Sequence, residues 1–378
     1  MEDLPSRQRL MQTLESRGLL DRAVEFLPDD VEIAERRRRM QALTRPELAV
    51  LLAYAKLTLY SDMLETQVPD DPYLGKELIR YFPEELSKRF PEELQHHRLR
   101  REIIATYLTN SIINRGGPSF IARMTDETGA PVDKIAKAFA AVRDSYNMGE
   151  LNGDIDALDN KISGKLQLDL YGAVKSLLLD RMVWFIRNVD LNRGLARVVE
   201  HFGGGIQEVW RSLDLALLQD GVDSRKSRFN ELRDGGVPEP LAMRIASLPA
   251  LTVAPDIVLV ADRTGRSIAD VSQTFIAVVR YFRLGRIVNA VRDIAVTDYF
   301  DRLALDRSRD LLGAAARRLT AEMLAGGQSG TDAVEAWVKP RVNEVERIRN
   351  SMHEIADTGL TLSKLAVAAS LLGDLGAR

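Results

Sequence analysis

Apolar residues return at intervals of three and four along almost the whole chain, the spacing of one face of an α-helix. Leu48, Leu51, Leu52, Ala55 and Leu59 follow Pro46 in this way. Leu99, Ile103, Ile104, Tyr107, Leu108 and Ile112 form a second stripe, and Leu170, Val174, Leu177, Leu178, Trp184 and Phe185 a third. Later stripes carry Phe275, Val278, Val279 and Phe282, then Leu303, Leu311, Leu319 and Met323. Starts and stops are written beside them. Thr44 with Glu47 three residues on reads as a capping box, and Pro46 suits a first turn. Gly116-Gly117 offers the left-handed backbone in which helices end, and Pro118 opens the next element. The best strand candidate, Ile257-Val258-Leu259-Val260, has neighbours that favour a short buried helix instead. The expectation is an all-α, multi-helical fold.

One segment of the pattern occurs twice. Thr128-Gly129 and Thr264-Gly265 lie 136 positions apart. At the same offset, without gaps, Val132 matches Ile268, Ile135 matches Val271, and Phe139 matches Phe275. Tyr146 then matches Phe282, Gly149 matches Gly285, and Leu151 matches Ile287. Weaker matches pair Val198 with Val334 and Ile206 with Val342. This reads as two related helical lobes, residues 111–235 and 236–378, after a helical lead segment, residues 1–110. Breaks are expected between Asp220 and Pro240, where glycines, prolines and charges cluster, and at Ala325–Gly330.

Composition removes several chemistries. The chain has no cysteine, which excludes disulfides, zinc–thiolate sites, iron–sulfur clusters and a cysteine nucleophile. Four histidines leave little material for an imidazole metal site. A net charge of −3 gives no reason to expect nucleic acid or an anionic membrane as partner. Every long apolar run is interrupted by Lys, Arg or Asp, so no membrane span is expected. A cytoplasmic setting agrees with the absence of cysteine.

Candidate sites are few. Asn114-Arg115-Gly116-Gly117-Pro118-Ser119 places backbone amides at a helix start, with a guanidinium beside them. Arg115, Gly116, Gly117 and Ser119 therefore form a candidate seat for a small anion, set against a plain cap and turn. Gly203-Gly204-Gly205 lacks the spacing and the preceding strand of a dinucleotide loop and reads as a turn between helices. Asp154, Asp156 and Asp159 fail the calcium-loop pattern and read as an acid-rich helix start. Arg36 to Arg39, with Glu32 and Glu35 in helical reach, read as a solvated or salt-bridged face. No G-x-S-x-G, P-loop or H-E-x-x-H motif occurs. Catalytic, cofactor-binding and metal residues are accordingly expected to be none.

Seven segments, in order, carry a family resemblance: Leu19 to Asp30 (LLDRAVEFLPDD), Leu43 to Tyr60 (LTRPELAVLLAYAKLTLY), Pro69 to Pro83 (PDDPYLGKELIRYFP), Leu99 to Ile104 (LRREII), Asn114 to Met124 (NRGGPSFIARM), Ile155 to Asn160 (IDALDN) and Gly236 to Leu251 (GVPEPLAMRIASLPAL). Together they resemble the C-terminal region of the large NAD-specific glutamate dehydrogenases of bacteria. The resemblance implies a parent enzyme that oxidises glutamate to 2-oxoglutarate and ammonia with NAD. It also implies that the catalytic and cofactor-binding domains precede this region. None of the family's catalytic or nucleotide-binding residues maps onto this chain, and MEDLPSRQ reads as a start inside a longer protein. The expected partners are the catalytic domain of the same polypeptide and, in the parent, further copies of it. A stand-alone helical scaffold that binds another protein is the alternative.

Overall fold

The structure, a computed structural model, describes residues 4–216, 219–296 and 299–375. Among them there is helix and turn and no strand, so the all-α expectation holds. The capping box is present: Thr44 accepts from the Glu47 amide, Glu47 accepts from the Thr44 amide, and the helix Arg45–Leu64 follows. The stretch Ile257–Val260 lies in the helix Ala254–Thr264 with Ile257, Val258 and Val260 buried. Its apolar run is continuous because most of that helix's faces are covered.

By contact the chain forms two compact units, Met1–Gly149 with Tyr171–Glu200, and Glu150–Leu170 with His201–Arg378. These limits differ from the sequence boundaries at 110 and 235. In the first unit the helices Arg45–Leu64, Arg100–Gly116 and Val132–Ser145 pack on one another. Leu51, Ile104, Leu108, Ile112 and Phe139 close the space between them. In the second unit Ala254–Thr264, Ile268–Tyr281, Tyr299–Leu324 and Leu362–Asp374 surround Phe275, Val278, Leu319 and Leu365. No single helix among the described residues is long and apolar enough to cross a membrane.

The repeat is geometric as well as sequential. Helices Phe120–Thr128 and Ala254–Thr264 both stop at a left-handed glycine, Gly129 (φ 67°, ψ 9°) and Gly265 (φ 66°, ψ 13°). Before each, the threonine hydroxyl donates back one turn, Thr128 to the Met124 carbonyl and Thr264 to that of Val260. The next helices, Val132–Ser145 and Ile268–Tyr281, have 14 residues each, and each is followed by a non-glycine residue at positive φ, Asn147 (49°) and Arg283 (54°). The helices Gly164–Asn188 and Tyr299–Leu324 end at equivalent positions, and positive φ recurs at Gly194, just before the next helix, and at Gly330, the first residue of its own. The offset of 136 residues therefore holds through all of these turns.

Three local expectations are corrected. Gly203-Gly204-Gly205 is no turn: it lies inside the helix Leu195–Ala216. A Cβ on Gly205 would run into the side chain of Val258, so the glycine serves close approach to the Ala254–Thr264 helix. Asp154 and Asp156 lie in the last turn of Met148–Asp156, not at a helix start, and Asp154 with Glu150 faces Arg244. The expected break at 220–240 is mostly the helix Gln219–Asp234, and the chain turns only at Gly235-Gly236 (Gly236 φ 90°). The charges that suggested a loop there form the solvated face of a helix.

Candidate functional site

The helix Arg100–Gly116 ends where the sequence said it would, with Gly117 as its cap at φ 93°. A Cβ on Gly116 would collide with the Phe120 ring, which is fully buried, so packing excludes larger residues there. Ser119 is 2% exposed and makes no side-chain cap bond to the helix Phe120–Thr128. The amides that open this helix therefore start in the packed interior. Arg115 faces elsewhere, into an open groove of about 360 Å³. The groove runs along the helix past Thr106, Tyr107, Asn110, Ser111 and Asn114, with Tyr81 at its side. Of the four residues proposed from sequence, Arg115 lines it and the other three do not. Hydroxyls, carboxamides and one guanidinium form the lining, with no carboxylate. This set can hydrogen-bond the oxygens of a small anion.

A buried cluster of charges in the first unit lies elsewhere, between the helices Gly75–Tyr81 and Val132–Ser145. Arg143, 8% exposed, pairs with the fully buried Glu77 and, at 2.8 Å, with Asp144 Oδ1. Lys76 Nζ stands 2.6 Å from Asp144 Oδ2 and 3.5 Å from the centre of the Tyr73 ring, and the Tyr73 hydroxyl donates to the same Oδ2 at 3.0 Å. Burial alone would raise the Asp144 carboxyl. The hydrogen bonds and charges of Arg143 and Lys76 outweigh it and hold Asp144 below its ordinary value. Burial lowers Lys76, while burial and then Asp144 raise Tyr73. Every one of these groups has a partner. The cluster clamps two helices and leaves no group poised toward an open cavity. Sequence reading missed it because its members, at 73–77 and 143–144, are joined only by the fold.

In the second unit the larger hollow, about 550 Å³, is lined by Arg263, Arg266, Glu322 and the end of the helix Tyr299–Leu324. Its charges are largely engaged: Arg266 pairs with Asp270 and donates to the Leu324 carbonyl, and Glu322 pairs with Arg318. The adjacent histidines are held locally. His96 Nδ1 lies 2.9 Å from the Glu92 carbonyl, and His97 Nδ1 accepts from the Leu99 amide. Among the described residues no three His, Asp or Glu side chains form a group able to hold a metal ion.

Among the described residues these features define the class as an all-α, multi-helical region with a polar groove along one helix of its first unit. The sequence profile "Glutamate dehydrogenase, C-terminal" matches residues 40–374, and the chain belongs to that family. It is 34% identical over 99% of its length to the NAD-specific glutamate dehydrogenase of Pseudomonas aeruginosa, of which it covers 23%. Against the enzymes of the same name from Halomonas elongata and Mycobacterium tuberculosis the figures are 31% identity over 94% of the chain and 29% over 97%, covering 22% and 23% of those proteins. The chain thus spans less than a quarter of the relatives it matches.

Proposed function

We propose that this chain is the non-catalytic C-terminal part of an NAD-dependent glutamate dehydrogenase. In that role it packs on the catalytic part and supports the assembly or its response to effectors. The parent reaction is oxidative deamination of L-glutamate to 2-oxoglutarate and ammonia, with NAD bound by the preceding domains. The observation that carries this reading is the length ratio: nearly all of this chain aligns with under a quarter of enzymes bearing that name. Its ionisable clusters, which are paired among themselves, agree with a structural role. Removing this region from the full-length enzyme is expected to change oligomer size or effector response. If activity, mass and effector response all survive, the reading fails.

The groove beside Arg115 supports a second role, as the seat of a small anionic effector such as an amino acid carboxylate. Calorimetry with aspartate, glutamate and nucleotides should give saturable heat that Arg115→Ala abolishes; absence of heat with the native chain removes this role.

A further inference from the structure

Two turns in the lead segment are made with unsuitable residues. At Gly18 the chain closes a helix with the left-handed turn in which the Leu19 amide bonds the Leu14 carbonyl and the Gly18 amide bonds that of Glu15. Glycine is the residue this backbone favours. The same turn recurs after the helix Asp30–Arg38, where Gln41 bonds Arg36 and Met40 bonds Arg37, but the residue at φ 53° is Met40. A related closure, Leu27 to Arg22, places Phe26 at φ 54°. Both side chains stand in solvent, Phe26 90% and Met40 95% exposed, with Val24 and Val31 also exposed nearby in sequence. Neither side chain makes a packing gain that would offset its backbone. Strained positions that persist without local benefit point to use by a partner.

We infer that Phe26 and Met40 are the anchors by which this region docks on the part of the polypeptide that precedes it in the relatives. The inference rests on the proposed function and names the surface involved. The occupant follows from position: residues 4–39 lie before the start of the family match at 40, yet the alignment to the Pseudomonas enzyme covers 99% of the chain. The lead segment is therefore shared by the longer proteins and sits next in sequence to their remaining three quarters. Tyr54, donating to Glu25 at 2.7 Å, ties the turn bearing Phe26 to the helix that exposes Leu57, so Phe26 stands on a fixed base. Arg37 and Arg38, exposed and in no ion pair among the described residues, add positive charge beside Met40. The matching surface is an apolar hollow bordered by carboxylates.

The test uses the full-length protein with a photoreactive phenylalanine at position 26 or 40, and at 367, where Val367 is half-exposed, as control. Adducts from 26 and 40 are expected to peptides of the preceding part. Adducts only to a second copy's lead segment, or none, overturn the inference. If 367 or another exposed position reaches the preceding part while 26 does not, the surface is wrong and the proposed function stands; if no position reaches it, both fail. The variant F26G/M40G separates docking from folding. The melting midpoint of the 378-residue chain should hold or rise by about 1–2 °C per site. Protease cleavage between this region and the preceding part should accelerate at least severalfold. A lowered midpoint would show that the two side chains stabilise this chain itself, which also overturns the inference.

Discussion

Gly204 and Gly205 are neighbours in one helix, yet opposite effects are expected of the same substitution. Nothing lies within 4 Å of a Cβ on Gly204, so Gly204→Ala should stabilise by about 0.5–1 kcal/mol through helix propensity. On Gly205 the added methyl meets Val258, so Gly205→Ala should destabilise by about 1–3 kcal/mol. Urea denaturation of the two variants decides it; equal signs would refute the close approach. Arg143 gives a second contrast. Arg143→Met leaves the buried Glu77 with Arg80 alone, at 3.4 Å, and takes a partner from Asp144, so it should cost up to about 3–5 kcal/mol, whereas Arg143→Met combined with Glu77→Leu should recover the Glu77 part of it. Asp144 adds a pH dependence. Its folded value lies below the ordinary one of 3.8, so its contribution is complete above that pH and is lost as pH falls through and below it. The urea midpoint should drop as pH falls below about 4, and Asp144→Asn should flatten part of that drop while lowering the neutral plateau.

At the scale of elements, what was legible in sequence was local. The capping box at Thr44, the stop at Gly117 and the turns at Gly129 and Gly265 are written in adjacent residues and came out as read. Misreadings arose where a local signal had a distant cause. The glycine triplet resembles a turn until Val258, contributed by another helix, supplies the reason for a bare backbone. The acids at 154–156 resemble a helix start, yet they close a helix, and Asp154 pairs with Arg244. Arg115 was found because it sits in a motif, but its groove, formed with side chains one and two turns earlier and with Tyr81, needed the folded helix. The repeat also shows one turn solved in two ways: Ser267 caps its helix by accepting from Asp270, while the equivalent Pro131 makes no such bond. Ser267→Ala should therefore cost about 1 kcal/mol, measurable by thermal melting, and Pro131→Ala should produce no comparable cap loss.

For the molecule as a whole, two features extend over most of the chain: the family match over residues 40–374 and the repeat at an offset of 136 residues. The 136-residue register has its own bearing on descent. Turns of equal length in both halves are what a unit of fixed length leaves behind. Recombination between its two copies would delete or add an entire unit and leave both junctions in frame. Natural size variation within this region should accordingly fall into jumps of that magnitude, or be confined to the loops outside it.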